Sequence, residues 1–289
     1  MRVSGFTFIR NGVTLGYPFL ESIRSALPLV DDFVVAMGDS TDGTTEHLVG
    51  LAAAEPKVRL IPMTWNTQAP AAFVYAAQSM AALYNCSGDW ALYLQGDEAL
   101  HEADYTRVRT ALQHADTDPR VEGLVFDYTH FYGSPSHVVR SPAWYRREVR
   151  IVKNRGIKVV MPSDAQYFVA IQGRRRLRYL RCRHAGATVY HYGWARPSPE
   201  HAAKVKTMNQ MYHATQVSKP REDVDPTTIH AFTGTHPAVM EDWVRGASGQ
   251  FTPNAQYKLS TRDLRQRWKM SIERVLPVDL SIKHYELLA

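Results

Sequence analysis

The sequence predicts an α/β fold: a mostly parallel sheet flanked by helices, with a mainly helical C-terminal extension. Three observations carry this. Strand-length apolar runs alternate with amphipathic stretches through the first hundred residues, and that alternation implies right-handed βαβ units. The runs are apolar throughout, as in strands covered on both faces. From residue 198 onward the texture changes to helical spacing.

Residues 3–9 form the first strand and stop at Arg10-Asn11-Gly12, which is turn chemistry. A helix follows over 18–26, with Pro18 in its first turn and Phe19, Leu20, Ile23 and Leu27 at helical spacing. Residues 33–37 are the second strand. They run into a loop over 38–46, dense in Gly, Ser, Thr and Asp, where Asp42 or Thr44 can cap a helix carrying Leu48 and Leu51. Residues 58–62 are the third strand, and the Ala-rich stretch 69–84 is a helix. Trp90 opens the fourth strand, which runs into Gln95-Gly96-Asp97-Glu98. Glu98 reads as a neighbour of the site or a helix cap. Beyond it come a helix over 102–115, a strand over 121–128, a strand or hairpin over 143–154, a pairing segment at 157–161, a short helix or loop at 163–166, and a strand over 187–194. The extension holds a helix from Ser198, a loop over 219–228, and helical stretches at 237–244 and 262–275. The expected division is 1–197 as the α/β domain and 198–289 as the extension.

Composition narrows the partners. A formal charge of +6 makes the chain basic, which suits nucleotides, nucleic acid or an anionic membrane surface. Arg146-Arg147, the run from Arg174 to Arg183, and 262–274 concentrate this charge; solvated faces are the plain reading. Only Tyr179 interleaves the second run, too few aromatics for single-strand binding, so no nucleic acid is expected. Two distant cysteines, Cys86 and Cys182, make neither a disulfide framework nor a Cys-rich zinc site. Residues 1–10 lack signal-peptide design, and no run approaches a membrane span. The expected location is cytoplasmic, with at most peripheral contact at the inner face of a membrane.

In open α/β sheets, ligands bind beyond the carboxyl ends of the strands. Here that edge is lined by Arg10 and Asn11, by Asp39 to Asp42, by Asn66 and by Gln95 to Glu98. Buried carboxylates at such an edge are costly unless solvated, paired or used. Gly38-Asp39-Ser40-Thr41-Asp42-Gly43-Thr44 resembles the Asp-Asp-Gly-Ser-Thr-Asp-Gly-Thr loop of family 2 glycosyltransferases, and Trp90 to Glu98 resembles the strand bearing their Asp-x-Asp motif. The likeness covers 1–100 and continues more loosely to about 195. It implies a GT-A-like (Rossmann-like) domain, with 1–100 as the nucleotide-binding half and 101–197 as the acceptor half. Two positions depart from the pattern. Met37-Gly38-Asp39 replaces the doubled Asp, leaving Asp39 to substitute in the nucleobase contact. Gln95 replaces the first Asp of the acidic motif, and an amide is a poorer ligand for a hard cation than a carboxylate.

The resemblance implies transfer of a sugar from a nucleotide-sugar donor, by default a UDP-sugar, to a glycan, lipid-linked or small-molecule acceptor. It implies an inverting reaction that depends on a divalent metal, Mn²⁺ or Mg²⁺. Asp97 is the expected ligand, and His191, at a strand end, can complete the set. Asp164 and Glu148 compete as the base for the acceptor hydroxyl. Trp194 is singled out as a wall for the sugar. Arg10, Asn11, Asp39, Asp42, Asn66 and Gln95 are the remaining donor-binding candidates. A nucleotidyltransferase would need a Gly-rich loop after the first strand, which Arg10-Asn11-Gly12 does not supply. A basic nucleic-acid or membrane-surface binder, and a catalytically degenerate nucleotide-sugar binder, are the alternatives.

Overall fold

The structure is a computed structural model that describes residues 1–70, 73–173, 176–212 and 220–288. Residues 71 and 72 of the predicted 69–84 helix, Arg174 and Arg175 of the basic run, and Lys219 of the predicted loop lie outside the described residues.

The first hundred residues alternate as expected: β1 (Val3–Ile9), α1 (Phe19–Ala26), β2 (Asp32–Gly38), α2 (Thr44–Ala54), β3 (Val58–Met63), α3 (Phe73–Tyr84) and β4 (Trp90–Tyr93). Their strands lie in the order β3-β2-β1-β4 and all run parallel. Successive residues of β4 serve opposite faces. Trp90 and Leu92 enter the core beneath α1, and Ala91 and Tyr93 enter the core on the other face, with Ala82 and Leu83 of α3. This two-sided burial is why the strand is apolar without alternation.

The remaining elements are β5 (Glu98–Leu100), α4 (Tyr105–Thr117), β6 (Gly123–Tyr132), β7 (Ser134–Val139), β8 (Arg147–Lys153), β9 (Val159–Val160), β10 (Val169–Gln172), β11 (Arg176–Trp194), α5 (Ser198–Met211), β12 (Ile229–Ala231), α6 (Glu241–Ala247), α7 (Thr261–Val275) and β13 (Tyr285–Leu287). β8 inserts between β4 and β6, antiparallel to both, so the sheet is mixed beyond its first half. β6 and β11 are parallel neighbours. β12 pairs with β7 and β13 with β11, so strands of the C-terminal segment join the same sheet as β1.

Several elements differ from the expectation. The strand predicted at 187–194 begins at Arg176. Its first half is rich in arginine, and three of these residues are ion-paired: Arg178 and Arg181 to Glu122, and Arg183 to Asp118. Residues 163–166, expected as a short helix or a loop, take the loop form as bends. Glu98 opens a short strand instead of capping a helix, and β5 pairs with β11 so that Glu98 lies opposite His191. No helix among the described residues is long and apolar enough to cross a membrane.

Candidate active site

β1 and β4 run side by side in one direction, so Arg10-Asn11 and Gln95-Gly96-Asp97 leave the sheet at the same edge. The turn after β4 is fixed from beneath. The Glu98 carboxylate receives Arg150 Nη2 at 2.8 Å and Nε at 2.9 Å, Tyr128 Oη at 2.8 Å, and the Gln95 backbone N–H at 3.1 Å. Glu98 is therefore a buried brace. Its neighbour Asp97 faces a cavity of about 250 Å³.

Asp97 is buried and surrounded by nitrogen. Lys204 Nζ, from α5, lies 3.0 Å from its Oδ2, Arg196 Nη2 lies 3.6 Å from the same oxygen, and His191 Nε2 lies 3.8 Å from Oδ1. Burial alone would raise the Asp97 carboxyl. The Lys204 ammonium, with Arg196, reverses this and holds it far below the usual carboxylate range. Burial outweighs Asp97 at Lys204, which is pushed down to about 8. Lys204 also donates to the Gly193 carbonyl at 2.9 Å and packs over the Trp194 ring at 4.8 Å. Arg196 sits over Tyr17 at 4.4 Å.

A chain of bonds fixes the His191 tautomer. His130 Nε2 lies 2.7 Å from the Tyr145 carbonyl, which can only accept, so this nitrogen carries the proton. Burial pushes the His130 imidazole down to about 4, so the ring is neutral at neutral pH and its Nδ1 is an acceptor. His191 Nδ1, 2.9 Å away, must then donate. Burial pushes the His191 imidazole well below its ordinary value, so it too is neutral and its Nε2 keeps a bare lone pair facing Asp97 Oδ1. Gly193 keeps this space open: a Cβ there would fall 2.5 Å from His191 Nε2, 2.6 Å from Asp97 Oδ2 and 2.8 Å from Lys204 Nζ.

The cavity lining gathers Arg10, Asn11, Gln95, Asp97, Asp164, His191 and Trp194 from the sequence-predicted residues. Asp164 accepts from Tyr212 Oη at 3.1 Å and from the Gln166 N–H at 3.2 Å. Gln95 Nε2 donates to the Ala165 carbonyl at 2.9 Å. Four other candidates do not line it. Asp39 pairs with Arg10 at 2.8 Å on the exposed rim. Asp42 accepts from Thr14 N–H and Thr44 Oγ1, organising the turn before α2. Asn66 accepts from Gln68 N–H in a turn. Glu148 is wholly buried in β8 and bonded to His284 Nδ1 at 2.8 Å, while the adjacent arginines turn to Asp127, Glu273 and Asp279.

Sequence reasoning missed Lys204, Arg196, Tyr17, Trp65 and Tyr75. Lys204 carries no local signal, being one of several polar residues on an ordinary helix; only the chain's return to the sheet edge places it. Phe8, Trp65, Tyr75 and Tyr212 form a continuous aromatic wall, with centroids 5.6–6.3 Å apart, and Arg10 lies over Trp65 at 5.4 Å.

No protein-family model matches the sequence, and no curated protein matches it. Among solved structures, the chain is similar to S. aureus TarS 1-349 in complex with UDP, at 12% identity over 77% of this chain and 69% of that one, with a TM-score of 0.41. It is similar to mannosyltransferase PcManGT from Pyrobaculum calidifontis in complex with GDP-Man and Mn²⁺, at 18% identity over 53% and 44%, TM-score 0.34. It is similar to glucosyl-3-phosphoglycerate synthase from Mycobacterium tuberculosis in complex with Mn²⁺, UDP and phosphoglyceric acid, at 18% identity over 45% and 43%, TM-score 0.30. The chain spans less than half the length of the last two. At such TM-scores the chemistry of the site rests on its own residues.

Those residues suit an anion and a cation together. Lys204 and Arg196 present buried positive charge at Asp97 Oδ2. On the opposite side, Asp97 Oδ1 and His191 Nε2 are lone-pair donors facing each other across 3.8 Å, a set that suits a divalent cation. No cluster of three or more His, Cys, Asp or Glu ligands exists among the described residues, so the other ligands would have to be a substrate or water.

Proposed function

We propose that this protein is a GT-A-type glycosyltransferase that moves a sugar from a nucleotide-sugar donor, with a UDP-sugar the first choice, to an acceptor hydroxyl. The observation that carries this reading is the meeting of Asp97, Lys204 and His191 in an aromatic-walled cavity at the carboxyl edge of the parallel strands. A diphosphate needs positive charge, a nucleobase and a sugar need ring faces, and an acceptor needs a base. The cavity lining offers all three.

The reaction is a single inverting displacement. The acceptor oxygen attacks the anomeric carbon as the bond from that carbon to the diphosphate oxygen breaks. The hydroxyl proton passes to Asp164, one of two carboxylates in the lining among the described residues; Asp97, the other, is held by its cations. The charge released on the diphosphate comes to rest against Lys204, with Arg196 behind it. Asp97 and His191 would hold a Mn²⁺ or Mg²⁺ ion, which would supply further Lewis-acid charge there. The aromatic wall beside Arg10 is the natural place for the nucleobase, and Trp194 faces the sugar. In this reading 1–197 and 198–289 work as one unit, because Lys204, Thr207 and Met208 of α5 complete the cavity.

Thermal-shift measurements with UDP, GDP and their sugars, with and without Mn²⁺, test the proposal. A ligand that binds only the folded state raises the melting temperature. A rise is expected with at least one nucleoside diphosphate. No rise with any of them, with or without the cation, overturns the reading.

A further inference from the structure

No residue of α7 is buried. The helix is nevertheless well anchored. Ser260 and Asp263 close a capping box at its start. Arg267 grips Asp225 through bonds of 2.8 and 2.7 Å, and Glu273 receives Arg146 at 3.0 and 2.6 Å. Its outward side is unusual. Leu264 is 55% exposed, Trp268 67% and Val275 82%. Spacings of four and seven place these three on one stripe with Ser271. Exposed Arg265 and Arg274 flank the stripe on either side, each about a quarter-turn away. The acids of the helix point elsewhere, Asp263 into the cap and Glu273 to Arg146. Exposed Leu276 and Val278 extend the apolar surface past the helix end.

We propose that this face of α7 seats the protein on an anionic lipid surface. The Trp268 ring and the aliphatic side chains enter the boundary between headgroups and acyl chains, and the flanking arginines meet lipid phosphates. A face-to-face second copy would set Arg265 and Arg274 against like charges, whereas an anionic bilayer complements them. The docked face is braced to the cavity: Glu273 holds Arg146, which follows Tyr145 of the cavity lining. Under the glycosyltransferase reading this favours a lipid-linked acceptor; the docking itself does not depend on that reading.

Cosedimentation of the full chain with vesicles of phosphatidylcholine alone, or with phosphatidylglycerol added, tests the proposal. Binding is expected only with phosphatidylglycerol, and raising salt weakens it. Each of Arg265→Gln and Arg274→Gln lowers binding about fivefold, and Trp268→Ser lowers it about tenfold or more. Arg245→Gln, exposed on α6 and outside the stripe, leaves it unchanged. Because the α7 positions are exposed, these variants keep their circular dichroism and melting temperature. No binding to the anionic vesicles, or binding indifferent to Trp268→Ser and to both arginine changes, overturns the proposal. A concentration-dependent dimer in ultracentrifugation that Trp268→Ser dissociates overturns it as well.

Discussion

The Glu98–Arg150 pair has no exposed side-chain surface on either partner, and the guanidinium packs against the rings of Tyr93 and Tyr128. Removing one partner leaves the other charge buried without compensation. Glu98→Gln is therefore expected to destabilise the fold by about 3–5 kcal/mol, read from the urea midpoint. Replacing both partners with apolar residues is expected to cost less. Asp97, one residue earlier, answers a different test. Lys204→Met removes the main positive charge facing the proposed diphosphate. It is expected to weaken nucleoside-diphosphate binding by about tenfold or more, measured by calorimetry, with Lys204→Arg recovering part of the loss. Equal affinity in Lys204→Met would remove Lys204 from the donor site. In the sequence Asp97 and Glu98 are two adjacent acids at a strand end. Their separation into site and brace depends on Arg150, fifty-two residues away, and no local pattern carries that information.

Arg178, Arg181 and Arg183, part of a basic run whose plain reading is a solvated face, are ion-paired in β11. Glu122 receives Arg178 at two positions and Arg181 at 3.0 Å. Burial would raise this carboxyl, but the arginine bonds outweigh it and lower it from 4.5 to about 2. A depressed acid contributes its full stabilisation above its ordinary value and loses it as pH falls through the folded value. Stability is thus expected to fall as pH drops from about 4.5 toward 2. Glu122→Gln should flatten that slope in denaturant titrations at a series of pH values; an unchanged slope would show that the Glu122 clamp does not drive acid unfolding. The elements legible in sequence were those whose own residues carry the signal: β1 to β4 by apolar runs, α1 by its spacing. The first half of β11 was not legible, because its arginines find their partners in another part of the chain. β5 was too short to leave a pattern.

At the scale of the molecule, the cavity draws on distant parts of the chain, with Arg10 after β1 and Lys204 on α5 in one lining. The α/β plan of the first hundred residues could be read because each βαβ unit is local. The antiparallel insertion of β8 and the addition of β12 and β13 could not, because strand partners far apart in sequence set them. The same division runs through the site. Residues at strand ends were accessible to reasoning about the sheet edge; the cation from α5 was not. Gly193 brings these parts together. Its backbone is not in the left-handed region, so alanine is conformationally acceptable there, yet one methyl group would sit among Asp97, His191 and Lys204. Gly193→Ala is accordingly expected to abolish nucleotide-induced thermal shifts while the far-ultraviolet spectrum stays native. Such a protein would serve as a matched reference: the same surface, charge and α7 face, with the Asp97–His191–Lys204 cluster pushed apart by a single carbon, against which whatever the native chain captures can be compared.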